Sequence, residues 1–199
     1  MRWVIGITGS MGTGKSTVLR MLEKLGAKAI DADLLVHRVM AKGTTVYEEV
    51  VEAFGEGVLG PKGEIDRKRL AALVFSDEEA LKRLEAIIHP VVENLIWEIA
   101  EEAKEEVVAI EAIKLLEAST GRWWDALWVV TCRPEEQSER LLAQGLSEEE
   151  IEGRLKAQGP ISEKIKAANV IIDNSGSLEE TWEQVKREWA KIQEKGEGE

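Results

Sequence analysis

Apolar residues in this chain gather in short, almost unbroken runs, and between the runs they recur every three or four positions. The runs are Trp3 to Thr8, Ala29 to Asp31, Val107 to Glu111, Ala126 to Cys132 and Val170 to Asp173. Too short for helices and mostly rich in Val and Ile, they predict strands covered on both faces. The alternation with helix-period segments predicts an α/β fold, a five-stranded parallel sheet flanked by helices and built through right-handed crossovers. Three helix starts carry a capping-box spacing: Ser76 with Glu79, Ser147 with Glu150 and Ser177 with Glu180.

Residues 32 to 106, between the second and third runs, are too many for a simple crossover and predict an inserted subdomain. Its front half carries the Gly55 to Gly63 turn region, the charged stretch Asp66 to Leu70 and then Val74-Phe75. Its back half is helical from Asp77 to about Ala103, and Pro90 is expected to kink or break that helix after His89. Glu101 to Glu106 reads as a solvated helix end, and Gln193 to Glu199 as a frayed tail.

Composition narrows the class. With 199 residues, 44% hydrophobic and 32% charged, the chain suits one buried α/β core with a small insertion. No apolar run reaches bilayer-spanning length and the N-terminus lacks a signal-peptide pattern, so no membrane partner is expected. Cys132 is the only cysteine, which excludes an internal disulfide and fits a reducing cytoplasm. A net charge of −12 argues against a nucleic-acid partner held by its phosphate backbone. Of the seven Trp, Trp3, Trp128, Trp182 and Trp189 fall in periodic segments and read as core, whereas Trp123 and Trp124 fall in a loop where packing and ligand contact are both open.

The first chemical signal is Gly9 to Thr17, GSMGTGKST, between the first strand and a helix-periodic stretch. Glycines at 9, 12 and 14 let the backbone wrap a polyphosphate with its N–H groups pointing inward, and the following helix turns its N-terminus to the anion. Gly12, Thr13, Gly14, Lys15, Ser16 and Thr17 form the nucleotide cradle of this reading. Lys15, taken as an exposed loop lysine, meets the β- and γ-phosphates, and the Ser16 hydroxyl ligates their magnesium. The motif specifies ATP or GTP without fixing the reaction.

The second signal is Asp31-Ala32-Asp33 at the end of the second strand. Ligands of open α/β sheets bind beyond the carboxyl ends of the strands, so these acids are expected to face the crevice of the phosphate loop. One of them can take or orient the proton of an attacking hydroxyl. Capping of the following helix is the alternative role, and the pattern alone leaves both open.

GSMGTGKSTV, LGAKAIDADLLVHRV, DRKRLAALVFSD, LEAIIHPVV and VIIDNSGSLEE, in that order over nearly the whole chain, resemble the motifs of the dephospho-coenzyme A kinase family. The resemblance implies a P-loop kinase core with a helical substrate-binding insertion and a small lid. It places the core at about residues 1–40, 105–135 and 168–195, the helical domain at about 41–104 and the lid at about 136–167. It implies transfer of the γ-phosphate of ATP, with Mg2+, to the ribose 3′-hydroxyl of dephospho-coenzyme A. By position it makes Asp33 the catalytic carboxylate, puts Arg67 and His89 in the domain that receives the substrate, and puts Asn174 in the adenine-side loop.

Three segments depart from the family pattern. His37 stands where many members have an arginine. Glu111 to Glu117 lacks the family's proline, although Glu111 keeps an acid that can serve magnesium through water. In the lid, Gln144 replaces an arginine, which leaves Arg140 and Arg154 to meet charge on the moving phosphate; salt bridges with Glu148 to Glu152 are the other reading of these two. A P-loop kinase of another small metabolite, such as a nucleoside or nucleoside monophosphate, is the alternative enzyme. A GTP-dependent switch would carry a guanine-reading N-K-x-D, which this chain lacks.

Overall fold

A computed structural model describes residues 2–112 and 124–196. The five apolar runs form strands β1 (Trp3–Thr8), β2 (Lys28–Asp31), β3 (Val107–Glu111), β4 (Ala126–Thr131) and β5 (Val170–Asp173). They pair in parallel in the order β2-β3-β1-β4-β5, with Ile5 opposite both Ala109 and Ala126, and Asp31 opposite Glu111. β1 is therefore central, and its carboxyl end feeds the glycine-rich loop and helix α1 (Lys15–Lys24).

Period-2 alternation along the strands sends Ile5, Ile7, Ala109, Trp128 and Val130 into one cluster with Leu22 of α1. Trp128 is wholly buried there. The same cluster takes Val185 and Ile192 from the last helix (Leu178–Gly196), while Trp3, Trp182 and Trp189 pack on it partly buried. The core reading of these four Trp therefore holds. Trp124 is half-buried, and Trp123 lies outside the described residues.

Residues 1–31 and 103–199 make one compact unit and residues 32–102 a second. The helical unit thus begins at Ala32, so the helix carrying Asp33 belongs to it, and the stretch 136–167 belongs to the sheet-bearing unit. The helical unit comprises α2 (Ala32–Val39), α3 (Thr45–Phe54), a short 3-10 turn (Glu56–Val58), α4 (Arg67–Phe75) and α5 (Glu78–Glu102). Helices α2, α3 and α4 all pack on α5.

Helix α5 runs unbroken through Pro90, so of the expected kink or break after His89 the break does not occur. An interior proline costs about 3 kcal/mol. Burial of Ile88, Val92 and Ile96, one turn apart on the same stripe, is worth roughly 1.5–3 kcal/mol per side chain and outweighs it. The start of α5 also differs: Asp77 Oδ1 accepts from the backbone N–H of Glu79 and Ala80, while Ser76 Oγ donates to the Leu73 carbonyl. An acid one residue later, better placed against the helix dipole, displaces the serine.

The remaining helices of the first unit are α6 (Pro134–Ala143), α7 (Glu148–Ala157), α8 (Ile161–Ala167) and α9 (Leu178–Gly196). Ser147 closes the expected capping box with Glu150, and Ser177 exchanges the same pair of bonds with Glu180. Helix α9 extends to Gly196, beyond the point where fraying was expected, because Ile192 remains buried in its last turns. Among the described residues, no helix is long and apolar enough to cross a membrane.

Candidate active site

Helix α1 begins under conditions that a helix selected for stability would avoid. Its N-cap, Gly14, supplies no side-chain bond, its first turn has no acid, and a lysine opens it at the positive end of the dipole. Lys15 is only 5% exposed, so it is not the exposed loop lysine of the sequence reading. Its Nζ donates to the Ser10 carbonyl at 3.1 Å. The same oxygen accepts from Thr13 Oγ1 at 2.9 Å and the Thr13 N–H at 3.4 Å. Three donors thus converge on one oxygen beside the unneutralised N-terminus of a helix, an arrangement that favours an anion.

The glycines are required sterically. Gly14 has φ +91°, and a Cβ there would lie 2.0 Å from Asn174 Nδ2; at Gly12, φ +76°, it would lie 2.8 Å from Leu141 Cγ. Leu141 is fully buried on α6 and closes the outside of the loop.

Ser16 Oγ donates to Glu111 Oε1 at 3.2 Å. Glu111 ends β3, in register with Ile7 of β1, and is buried. Two oxygen donors this close suit a hard cation that takes one or two protein oxygens and completes its shell with water and phosphate. The rest of the departing segment, Ile113 to Glu117, lies outside the described residues.

Asn174 follows β5 and is 3% exposed. Its Nδ2 donates to the Thr13 carbonyl at 2.8 Å, and its Oδ1 accepts from Thr181 Oγ1 at 2.8 Å. The Arg140 guanidinium donates to the carbonyls of Asn174 (2.8 Å), Thr13 (3.4 Å) and Gly12 (3.5 Å). Burial pushes the Cys132 thiol up, against the opposing pull of Arg140, so it stays protonated and lies 3.9 Å from the Gly12 carbonyl as a weak donor.

Gln137 and Gln158 escaped the sequence reading. Gln137 Nε2 donates to the Met11 carbonyl at 2.6 Å, and Gln158 Oε1 accepts from the Met11 N–H at 2.9 Å. The available signal was spacing: Gln137, Arg140 and Leu141 fall at i, i+3 and i+4, one face of α6, and Arg154 and Gln158 are one turn apart. Arg154 is exposed on α7 and forms no salt bridge among the described residues.

In the helical unit, Asp33 is exposed in the first turn of α2. Arg67 Nη1 lies 2.7 and 3.0 Å from the two ring nitrogens of His37. Both line a cavity of about 290 Å³ with Lys42 and Glu64. His89 is half-buried on α5. The structure thus groups residues 9–17, Glu111, Arg140 and Asn174 in one unit, and groups Arg67 with His37 in the other.

A central parallel strand that runs through such a loop into a helix defines a P-loop kinase fold. Shikimate kinase from Bacteroides thetaiotaomicron shares it at TM-score 0.54 over 96% of this chain and 98% of that one; at 18% identity the likeness concerns the fold alone. The family model for dephospho-CoA kinase matches residues 3–180, and the chain belongs to that family of phosphotransferases. The dephospho-CoA kinase of Aquifex aeolicus is 48% identical over 94% of this chain and 96% of its own. The crystal structure of TT1252 from Thermus thermophilus superposes at TM-score 0.84, with 38% identity, over 96% of this chain and 98% of that one.

Proposed function

We propose that this protein transfers the γ-phosphate of ATP to the ribose 3′-hydroxyl of dephospho-coenzyme A, the final step of coenzyme A synthesis. The observation that carries the chemistry is the helix that opens on buried Lys15 with neither cap nor acid, which becomes favourable when a polyphosphate supplies the negative charge. Membership of the family carries the substrate. A kinase of nucleosides on the same core is not favoured, because the resemblance continues through the helical unit as well.

In this reading the N–H groups of Gly12 to Thr17 and Lys15 hold the phosphates in line. Ser16, and Glu111 through water, hold magnesium, which neutralises charge on the β- and γ-oxygens. Asp33 accepts or orients the proton of the attacking hydroxyl. Arg67 and His89 serve substrate binding in the helical unit, and Asn174 the nucleotide side. A cytoplasmic enzyme acting on a small molecule, without a nucleic-acid or membrane partner, fits this chemistry.

Purified protein with ATP and magnesium is expected to convert dephospho-coenzyme A into coenzyme A, read by mass spectrometry. ATP hydrolysis with no coenzyme A formed would sink the assignment.

Arg154 is the lid cation of this proposal, since Arg140 is held on three loop carbonyls. Arg154→Ala is expected to lower turnover on the order of a thousandfold, as loss of an arginine that meets transition-state charge does. A surface arginine contributes only about 0.2–1 kcal/mol to stability, so the thermal midpoint should barely move. Small, matched effects on turnover and stability would return Arg154 to the surface role.

A further inference from the structure

In this reading the phosphate loop offers N–H groups inward, and the side chains that bond it from outside, Gln158 at the Met11 N–H apart, are donors to its carbonyls. Met11 O accepts from Gln137, Gly12 O from Arg140 and Cys132, and Thr13 O from Asn174 and Arg140. A trans peptide group is planar, and its C=O and N–H point in opposite directions. Fixing the carbonyls of residues 11, 12 and 13 outward therefore fixes the N–H groups of Gly12, Thr13 and Gly14 inward. The Thr13 N–H shows the inner side directly, because it points at the Ser10 oxygen that Lys15 also meets.

Asn174 is the most constrained member of this collar. The Thr13 carbonyl can only accept, so Nδ2 must face it and Oδ1 must face Thr181, whose hydroxyl must then donate. Thr181 is wholly buried on α9 and reaches no closer to the loop than this amide. The backbone of Asn174 is held as well, its N–H by the Thr131 carbonyl and its C=O by Arg140. With both ends of its amide bonded and the side chain 3% exposed, Asn174 is turned to the loop and α9 rather than to solvent.

We infer that Asn174, oriented by Thr181, is a positioning residue which, with Gln137 and Arg140, presets the phosphate-loop N–H groups from outside. The inference rests on the loop being the site of the ATP phosphates. It shifts the role of Asn174 from nucleotide contact to control of cradle geometry, and it extends that control to Thr181 and Gln137, which act through Asn174 and the Met11 carbonyl. It also accounts for the glycine at position 14, since the brace occupies the space of a Cβ.

The test uses the whole protein with inorganic tripolyphosphate and magnesium as the probe, binding read by calorimetry and folding by thermal midpoint. Thr181→Val keeps the shape and removes the hydroxyl that orients the amide. Loss of one such bond is expected to weaken tripolyphosphate binding about three- to tenfold and to lower kcat with ATP, and Thr181→Ser should restore both. Gln137→Met, an unbranched replacement of similar length at a half-buried helix position, should weaken the same probe in the same direction. Parent-like tripolyphosphate affinity in folded Thr181→Val, or in Gln137→Met, would overturn the inference. So would Thr181→Ser failing to rescue, since volume rather than the hydroxyl would then be the cause. A parent protein that binds neither ATP nor tripolyphosphate would bring down the nucleotide reading and this inference together; a parent that binds, with variants unchanged, would bring down the inference alone.

Discussion

Lys15→Ala is expected to remove phosphoryl transfer, a loss of about a thousandfold or more, because the ammonium meets charge that grows on the phosphate in the transition state. Stability should change far less, although the side chain is buried. The bond to the Ser10 carbonyl is worth about 1 kcal/mol, and that oxygen keeps Thr13 as a donor. Alanine is also a better first residue for a helix than a cation opposed to the dipole. Steady-state turnover measured beside a denaturant midpoint separates the two effects. Near-parental turnover would show that the loop is not the ATP site, and a collapse of the midpoint would show that Lys15 is structural.

Asp33→Asn is expected to lower turnover about 10²- to 10⁴-fold while dephospho-coenzyme A still binds. The amide keeps the shape and part of the hydrogen bonding but cannot take a proton at neutral pH. A loose phosphoryl transition state that releases the proton late places the loss at the lower end. Asp31→Asn, at the end of β2, should do less. Turnover and substrate affinity measured on both variants order the two carboxylates, and a parental rate for Asp33→Asn with a poor one for Asp31→Asn would exchange their roles.

What could be read from the chain and what could not divide along physical lines. Strand identity was legible because buried parallel strands demand unbroken apolar runs, and β1 and β3 match theirs residue for residue; β5 keeps its bounds too, although as an edge strand it buries only Ile172 and leaves Ile171 half exposed, against the expectation of cover on both faces. The phosphate loop was legible because the glycines are imposed by backbone geometry. The expected break at Pro90 does not occur because propensity acts locally, whereas the stripe that carries α5 through it is tertiary. Lys15 was misread as exposed because burial of a charge depends on the loop around it. Gln137 and Gln158 carry only the weak signal of sharing a helix face with Arg140 and Arg154, and Thr181 carries none: an outer brace needs only a donor or acceptor at the right place. The charge of Arg140 is legible in the chain, while its bonds to three carbonyls depend on how the loop folds around it.

The strand order also governs how the chain reaches this state. β1 pairs with β3 and β4, Trp3 opposite Val107 and Ile5 opposite Ala126, so no neighbour for the first strand lies within its own hundred residues. Closing a loop of that size costs about 4 kcal/mol before any pairing rewards it. At translation rates of roughly 5–20 residues per second, β1 leaves the ribosome some 5–20 seconds before its first partner exists. Residues 32–102 can meanwhile condense around α5 through contacts among themselves. That early condensation shortens the span that β2 and β3 must bridge. The helical insertion thus assists assembly of a sheet to which it contributes no strand, and the apolar first strand has no sheet neighbour until β3 is made.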